Sequence, residues 1–128
     1  MRGFVGTGSS VKIVGLFVSG SSTKSVLIRA SGPALALFDV SGALADPIVE
    51  LYDQNRLIAT NDNWSDDATK ATAIAAAATH VGAFVWPLGS KDAALLVALA
   101  PGPYTVVVRG VGNATGIALI ETYDINID

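Results

Sequence analysis

Ile48-Val49-Glu50-Leu51-Tyr52, then Asp53-Gln54-Asn55, then Arg56-Leu57-Ile58-Ala59-Thr60: this stretch reads as a strand, a tight turn and a return strand. Asp and Asn favour turns because their short side chains bond their own backbone, and β-branched and aromatic residues fill the arms. Asp46-Pro47 marks the entry, since the residue before a proline is pushed out of the helical region. A chain that starts from such a hairpin and repeats the pattern on either side is expected to be an antiparallel all-β domain.

The pattern does repeat toward the N-terminus. Arg2–Gly6 and Val11–Ser19 are expected strands separated by the Gly8-Ser9-Ser10 turn, and Gly20–Thr23 leads into Ser25–Ala30. In that last strand Val26 and Ile28 share one face while Leu27 and Arg29 share the other. Gly32-Pro33 opens a less regular segment, with Ala34–Phe38 as one helical turn that Pro33 is suited to start.

Toward the C-terminus, the most polar stretch of the chain runs from Asn61 to Lys70. Ala68–Thr79 follows and reads as the one substantial helix, because alanine is the best helix former. Ser65 is its expected cap, Asp66 and Asp67 suit its first turn, and Gly82 ends it. Ala93–Leu99, Tyr104–Arg109 and Gly116–Asp128 complete the strands, with Pro101-Gly102-Pro103 and Gly110–Gly116 as turns. The final strand alternates Tyr123, Ile125 and Ile127 with Asp124, Asn126 and Asp128. About eight short strands and one Ala-rich helix indicate a mainly all-β fold, an antiparallel β-sandwich or jelly roll. Residues 1–128 are expected to form a single domain. Val26, Ile28, Leu51, Ile58, Leu96, Val106, Val108 and Leu119 are its expected core.

Composition narrows the function classes. Hydrophobic residues make up 51% and charged residues 15%, which argues against disorder. The net charge is −3 and the eight basic residues are scattered singly, whereas a duplex-binding protein needs them clustered. No apolar run approaches the roughly 18 residues of a membrane span. The absence of cysteine removes disulfides, thiolate metal sites and cysteine nucleophiles. The Met1-Arg2-Gly3 start carries no apolar signal core, so an exported form is expected to be a mature or trimmed chain.

Several phrases resemble a module of predicted secreted proteins of environmental bacteria. They are Arg2–Gly8, Ser25–Pro33, Gly42–Pro47, Glu50–Asp53, Leu57–Trp64, Gly89–Leu96, Leu99–Thr105, Thr115-Gly116 and Glu121–Asp124. The module is distantly similar to the bacterial pre-peptidase C-terminal domain, which also carries a Leu-Tyr-Asp hairpin, an Asn-Asp stretch and a Pro-Gly-x-Tyr-x-x-x-Val strand entry. Here these are Leu51-Tyr52-Asp53, Asn61-Asp62 and the run from Pro101 to Val108. The resemblance implies a β-sandwich, an extracellular or cell-surface location, a binding or structural role, and no catalysis. Some members of that family bind calcium.

Candidate sites are few. Asp53, Asn55, Asn61, Asp62, Asn63, Asp66 and Asp67 supply the hard oxygen ligands calcium takes, without the spacing of an EF-hand. The same residues also suit turns and helix caps. Trp64 and Trp86 flank the helix, either as faces for stacking on a glycan or as packing anchors. The lone His80, at the helix end, suits the helix dipole rather than a triad or a zinc site. Glu50 and Glu121, the only glutamates, are the one pair on which a glycosidase-like hydrolase can be imagined. No catalytic set and no cofactor emerges beyond candidate calcium.

Two readings follow. One is a structural or adhesive module that self-associates through its terminal strands, with Phe4, Val5, Ile125 and Ile127 as contacts, into a homo-oligomer or filament. The other is a carbohydrate- or calcium-dependent binding module.

Overall fold

The computed structural model describes residues 2–6 and 11–125. It holds eight strands in two four-stranded antiparallel sheets: β1 (Arg2–Val5), β2 (Lys12–Val18), β3 (Lys24–Ser31), β4 (Pro47–Asp53), β5 (Arg56–Asn61), β6 (Ala93–Leu99), β7 (Gly102–Gly110) and β8 (Gly116–Asp124). One sheet runs β1-β8-β3-β6 and the other β2-β7-β4-β5. Successive strands thus cross between sheets except in the β4–β5 hairpin, which is the jelly-roll order.

The hairpin read first in the sequence sits as expected, with Gln54 at φ 56 in its turn. Its register slips by one residue between Leu51 and Tyr52, leaving Ile58 as an extra residue on β5. That bulge corrects one core expectation: Ile58 is exposed. Val26, Ile28, Leu51, Val106 and Val108 are buried, and Leu96 and Leu119 are half-buried.

The inner faces close on each other through Val26, Ile28, Ala30, Leu95, Ala118 and Ile120 of the first sheet and Val49, Leu51, Tyr104, Val106 and Val108 of the second. Leu44, from the segment that follows a 3₁₀ turn at Pro33–Phe38, plugs one end of this core. Its backbone is tied to β8: Leu44 N donates to Ile117 O and Ile117 N donates to Gly42 O, both at 2.8 Å.

A third layer covers the outer face of the first sheet. The helix α1 (Ala68–Val81) presents Ala71, Ile74 and Ala77, spaced by three, to Leu27 and Ala94. Its cap is Asp67, whose Oδ1 accepts from Lys70 N at 3.1 Å. Ser65 instead accepts a hydrogen bond from Gly89 N, so the expected cap is off by two residues. Gly82, left-handed at φ 75, ends the helix by donating to Thr79 O. Covered on both faces, β3 is buried from Val26 to Ser31.

Candidate functional site

The seven residues expected as a calcium set divide between the two ends of β5. Asp53 and Asn55 belong to the hairpin, while Asn61 lies six residues beyond Asn55, about 20 Å at the rise of a strand. At the far end several oxygens are committed. Asn61 Oδ1 accepts from Ala94 N at 3.1 Å, Asp66 Oδ2 accepts from Asn63 Nδ2 at 3.2 Å, and Asp67 caps α1.

The structure adds Asp46, which the sequence reading had assigned only to a turn. Burial and a hydrogen bond with Asp62 push its carboxyl up to about 6. Asp46 Oδ1 and Asn63 Oδ1 are buried and accept no hydrogen bond. Among the described residues no three carboxylate or imidazole groups converge as metal ligands.

Both indoles are interior. Trp64 is 5% exposed and Trp86 6%, packed edge to face with ring centroids 5.8 Å apart. Trp64 Nε1 donates to Ser90 Oγ and Trp86 Nε1 to Ser31 Oγ. The first bond continues into a network absent from the sequence reading. Ser90 Oγ donates to Asp92 Oδ2 at 2.7 Å, and Asp92 Oδ1 accepts from Gly32 N and Ala34 N. The tryptophans thus pin the helical layer to the sheet and offer no open ring face to a sugar.

Beneath the same layer lies a buried ion pair. Arg29 is 1% exposed, and its guanidinium is held between the rings of Phe84 and Trp86, 4.7 and 4.1 Å from their centroids. Its Nε is 3.7 Å from Glu121 Oε1, and Glu121 also accepts the Tyr123 hydroxyl through Oε2. Burial pushes the guanidinium below its ordinary value, and Glu121 works against that shift. Glu50 lies on the outer face of the other sheet, paired with Arg109 Nη2 at 3.3 Å. The two glutamates are on opposite sides of the sandwich and make no carboxylate pair. His80 is exposed in the last turn of α1.

The terminal strands pair with each other inside the subunit, Phe4 opposite Ile117 and Val5 opposite Gly116. Strand β8 lies between β3 and β1, and β1 covers the second edge along Gly116–Leu119. It ends at Asp124, earlier than the expected Asp128, and Ile127 lies outside the described residues. Ile125 packs against the hydrophobic cluster on the outer face of the first sheet, and its N–H donates to Ser25 O. Val5 is fully buried, whereas Phe4 is 62% exposed. Of the four expected contact residues, only Phe4 has an exposed side chain among the described residues.

The open edges fall on two flanks. Strands β1 and β2 lie side by side on one, with Phe4 exposed on the outer face of the first sheet and Ile13 and Phe17 on the outer face of the second. Strands β5 and β6 lie on the other. There a groove of ≈ 710 Å³ runs between β5, β6 and α1, with Ile58, Ile74 and Leu96 in its walls and Asp62, Asp66, Asp67 and Lys70 along its rim.

No described helix is long and apolar enough to cross a membrane. No protein-family model and no curated protein matches the sequence. The fold is shared with a solved structure, the pre-peptidase C-terminal domain of collagenase from Bacillus anthracis, at a TM-score of 0.55 and 12% identity, over 96% of this chain and 86% of that one. The chain therefore has the fold of a pre-peptidase C-terminal domain, the architecture its sequence motifs resemble.

Proposed function

We propose that the chain is a non-catalytic structural or adhesive module of the bacterial exterior that associates with copies of itself through its open strand edges. The observation that carries this reading is the β1–β2 flank, where two edge strands lie together, each with one edge open among the described residues, and Phe4, Ile13 and Phe17 project into solvent, 62, 59 and 70% exposed. Bare edges are usually blunted by charges, prolines or bulges, and β2 carries only Lys12. The extracellular part of the reading is supported by the motifs resembling secreted modules and by the fold shared with a collagenase domain. The separation of Glu50 from Glu121 and the exposed, isolated His80 support a role without catalysis. Light scattering over a wide concentration range tests association. Oligomers that disappear in Ile13→Lys/Phe17→Lys support the reading, and monomers throughout overturn it.

A second reading, calcium at the β5–α1 loop, is supported by the paired Asp46 and Asp62 and by the two buried oxygens that accept no hydrogen bond. These supply fewer than the six to eight oxygens calcium takes, so backbone carbonyls and water would complete the shell. Titration calorimetry at millimolar calcium tests it: absence of heat, together with a melting temperature unchanged by chelator, removes it.

A further inference from the structure

We propose that the association is heterologous: the β1–β2 flank of one copy docks along the β5–β6 groove of the next, so that copies add head to tail. The inference rests on the self-association reading and specifies its geometry.

Strand direction comes first. Each sheet has four strands of alternating direction, so its two edge strands run opposite ways, β1 against β6 and β2 against β5. A second copy placed beside the first in the same orientation therefore continues the antiparallel alternation in both sheets at once. An odd number of strands would not allow this.

On the groove side, the free edge of the first sheet is β6. Ala94 N–H points outward from β6, where Asn61 Oδ1 accepts it. By the alternation of an antiparallel ladder, Leu96 and Ala98 direct their N–H and C=O groups to the same free edge. An added β1 strand would carry Phe4 on the helix-facing side of this sheet, the side on which Leu96 lies opposite Leu27. In the side-by-side register Phe4, level with Ile117, meets the Ala93 end of β6, about six residues or ~20 Å along the strand from Leu96, so the groove itself is covered from the second sheet.

In the second sheet the bulge at Ile58 interrupts the β5 edge, so contact there is between side chains rather than backbones. Leu57 and Ile58, 46 and 39% exposed, would meet Ile13 and Phe17 of the neighbour.

Charge selects the same orientation. Strand β2 begins at Lys12 and β5 ends at Asn61, so antiparallel apposition brings Lys12 to the rim of Asp62, Asp66 and Asp67. Arg109, in the same groove, is already paired with Glu50. A two-fold contact of β2 with β2 would place Lys12 near Val18 and leave the acidic groove uncovered. A heterologous contact of this kind grows into a filament unless its rotation closes a ring.

The test uses two variants of the whole chain, each altered only at exposed positions and checked for an unchanged thermal melt. Ile13→Lys/Phe17→Lys blocks the first flank, and Leu57→Lys/Ile58→Lys the second. Head-to-tail docking makes the wild-type chain a series of oligomers by light scattering, makes each variant alone a monomer, and makes their equimolar mixture a 1:1 dimer through the one intact pair of flanks. Wild-type-like oligomers in the Leu57→Lys/Ile58→Lys variant, or no dimer in the mixture, would overturn the head-to-tail geometry and leave self-association standing. Monomeric wild type would overturn both.

Discussion

Arg29 and Glu121 face each other at 3.7 Å beneath the helical layer, close enough for attraction and too far for a hydrogen bond, and none of the three guanidinium nitrogens has a hydrogen-bond partner. The aromatic faces of Phe84 and Trp86 take the place of those partners. Such a pair contributes little net stability, because desolvating both charges offsets their attraction. Breaking it is another matter, since the remaining charge is stranded. We expect Glu121→Leu to cost about 3–5 kcal/mol in urea unfolding, and the double change Arg29→Met/Glu121→Leu to recover most of that loss.

Tyr123 shares Glu121, and burial together with that hydrogen bond pushes its hydroxyl up to about 12. The folded state therefore holds the phenolic proton more tightly than the unfolded chain, whose value is the ordinary 10.0. The resulting stability is complete below pH 10 and is lost as pH rises toward 12. Thermal melts of Tyr123→Phe are expected to show a shallower decline than wild type over that alkaline window.

Asp46 behaves in the same sense at lower pH. Its carboxyl, raised to about 6 by burial and by Asp62, is protonated more readily in the folded state than in the unfolded one. This contribution is fully present below the ordinary 3.8 and disappears as pH rises through 6. At neutral pH the two carboxylates repel each other. We expect Asp62→Asn to raise the melting temperature at pH 7 and to leave it little changed at pH 4.

Asp92 is fully buried and accepts three hydrogen bonds, from Gly32 N, Ala34 N and Ser90 Oγ. Hydrogen bonds to a charged acceptor contribute roughly 1.5–3 kcal/mol, and a stranded buried donor costs about 1–3 kcal/mol. Asp92→Ala removes the acceptor from all three donors at once and loosens Trp64 through Ser90. A loss of at least about 3 kcal/mol is expected in urea unfolding, with a change in tryptophan fluorescence that marks the helical layer.

The sequence carried the strands better than the site, for a physical reason. Strand and turn signals are local: Asp53-Gln54-Asn55 bends the chain whatever surrounds it, and Ala68–Val81 is helical by composition. The bulge that exposes Ile58 depends on how β5 is paired with β4, so alternation along β5 alone placed that residue inside. The partners of Asp92, Arg29 and Asp46 are distant in sequence. Asp92 carried no signal of its own, because its acceptor role spans 60 positions to Gly32. Arg29 carried a weak signal, a lone cation in the apolar run Val26–Ala30, which marks either an exposed face or a buried pair. The terminal strands read as apolar ends in need of a partner. They found it largely in each other, which leaves Phe4 and the β2 edge as the exposed remainder.

Two glycines separate close packing from mere strand membership. A Cβ on Gly116 would stand 2.7 Å from the backbone N and Cα of Leu44, the residue that plugs the core. The Leu44–Ile117 and Ile117–Gly42 hydrogen bonds hold that segment against β8, so neither chain can move aside without giving up a backbone bond. Gly15, in the middle of β2, has nothing within 4 Å of its Cβ position. Overpacking of a core costs about 1–3 kcal/mol, whereas an unstrained glycine inside a strand is less stable than alanine by roughly 0.5–1 kcal/mol. The same chemical change is therefore expected to act with opposite sign: Gly116→Ala should lower stability in urea unfolding and Gly15→Ala should raise it modestly. Equal effects at the two positions would mean that the Leu44 segment is not seated on β8 as described.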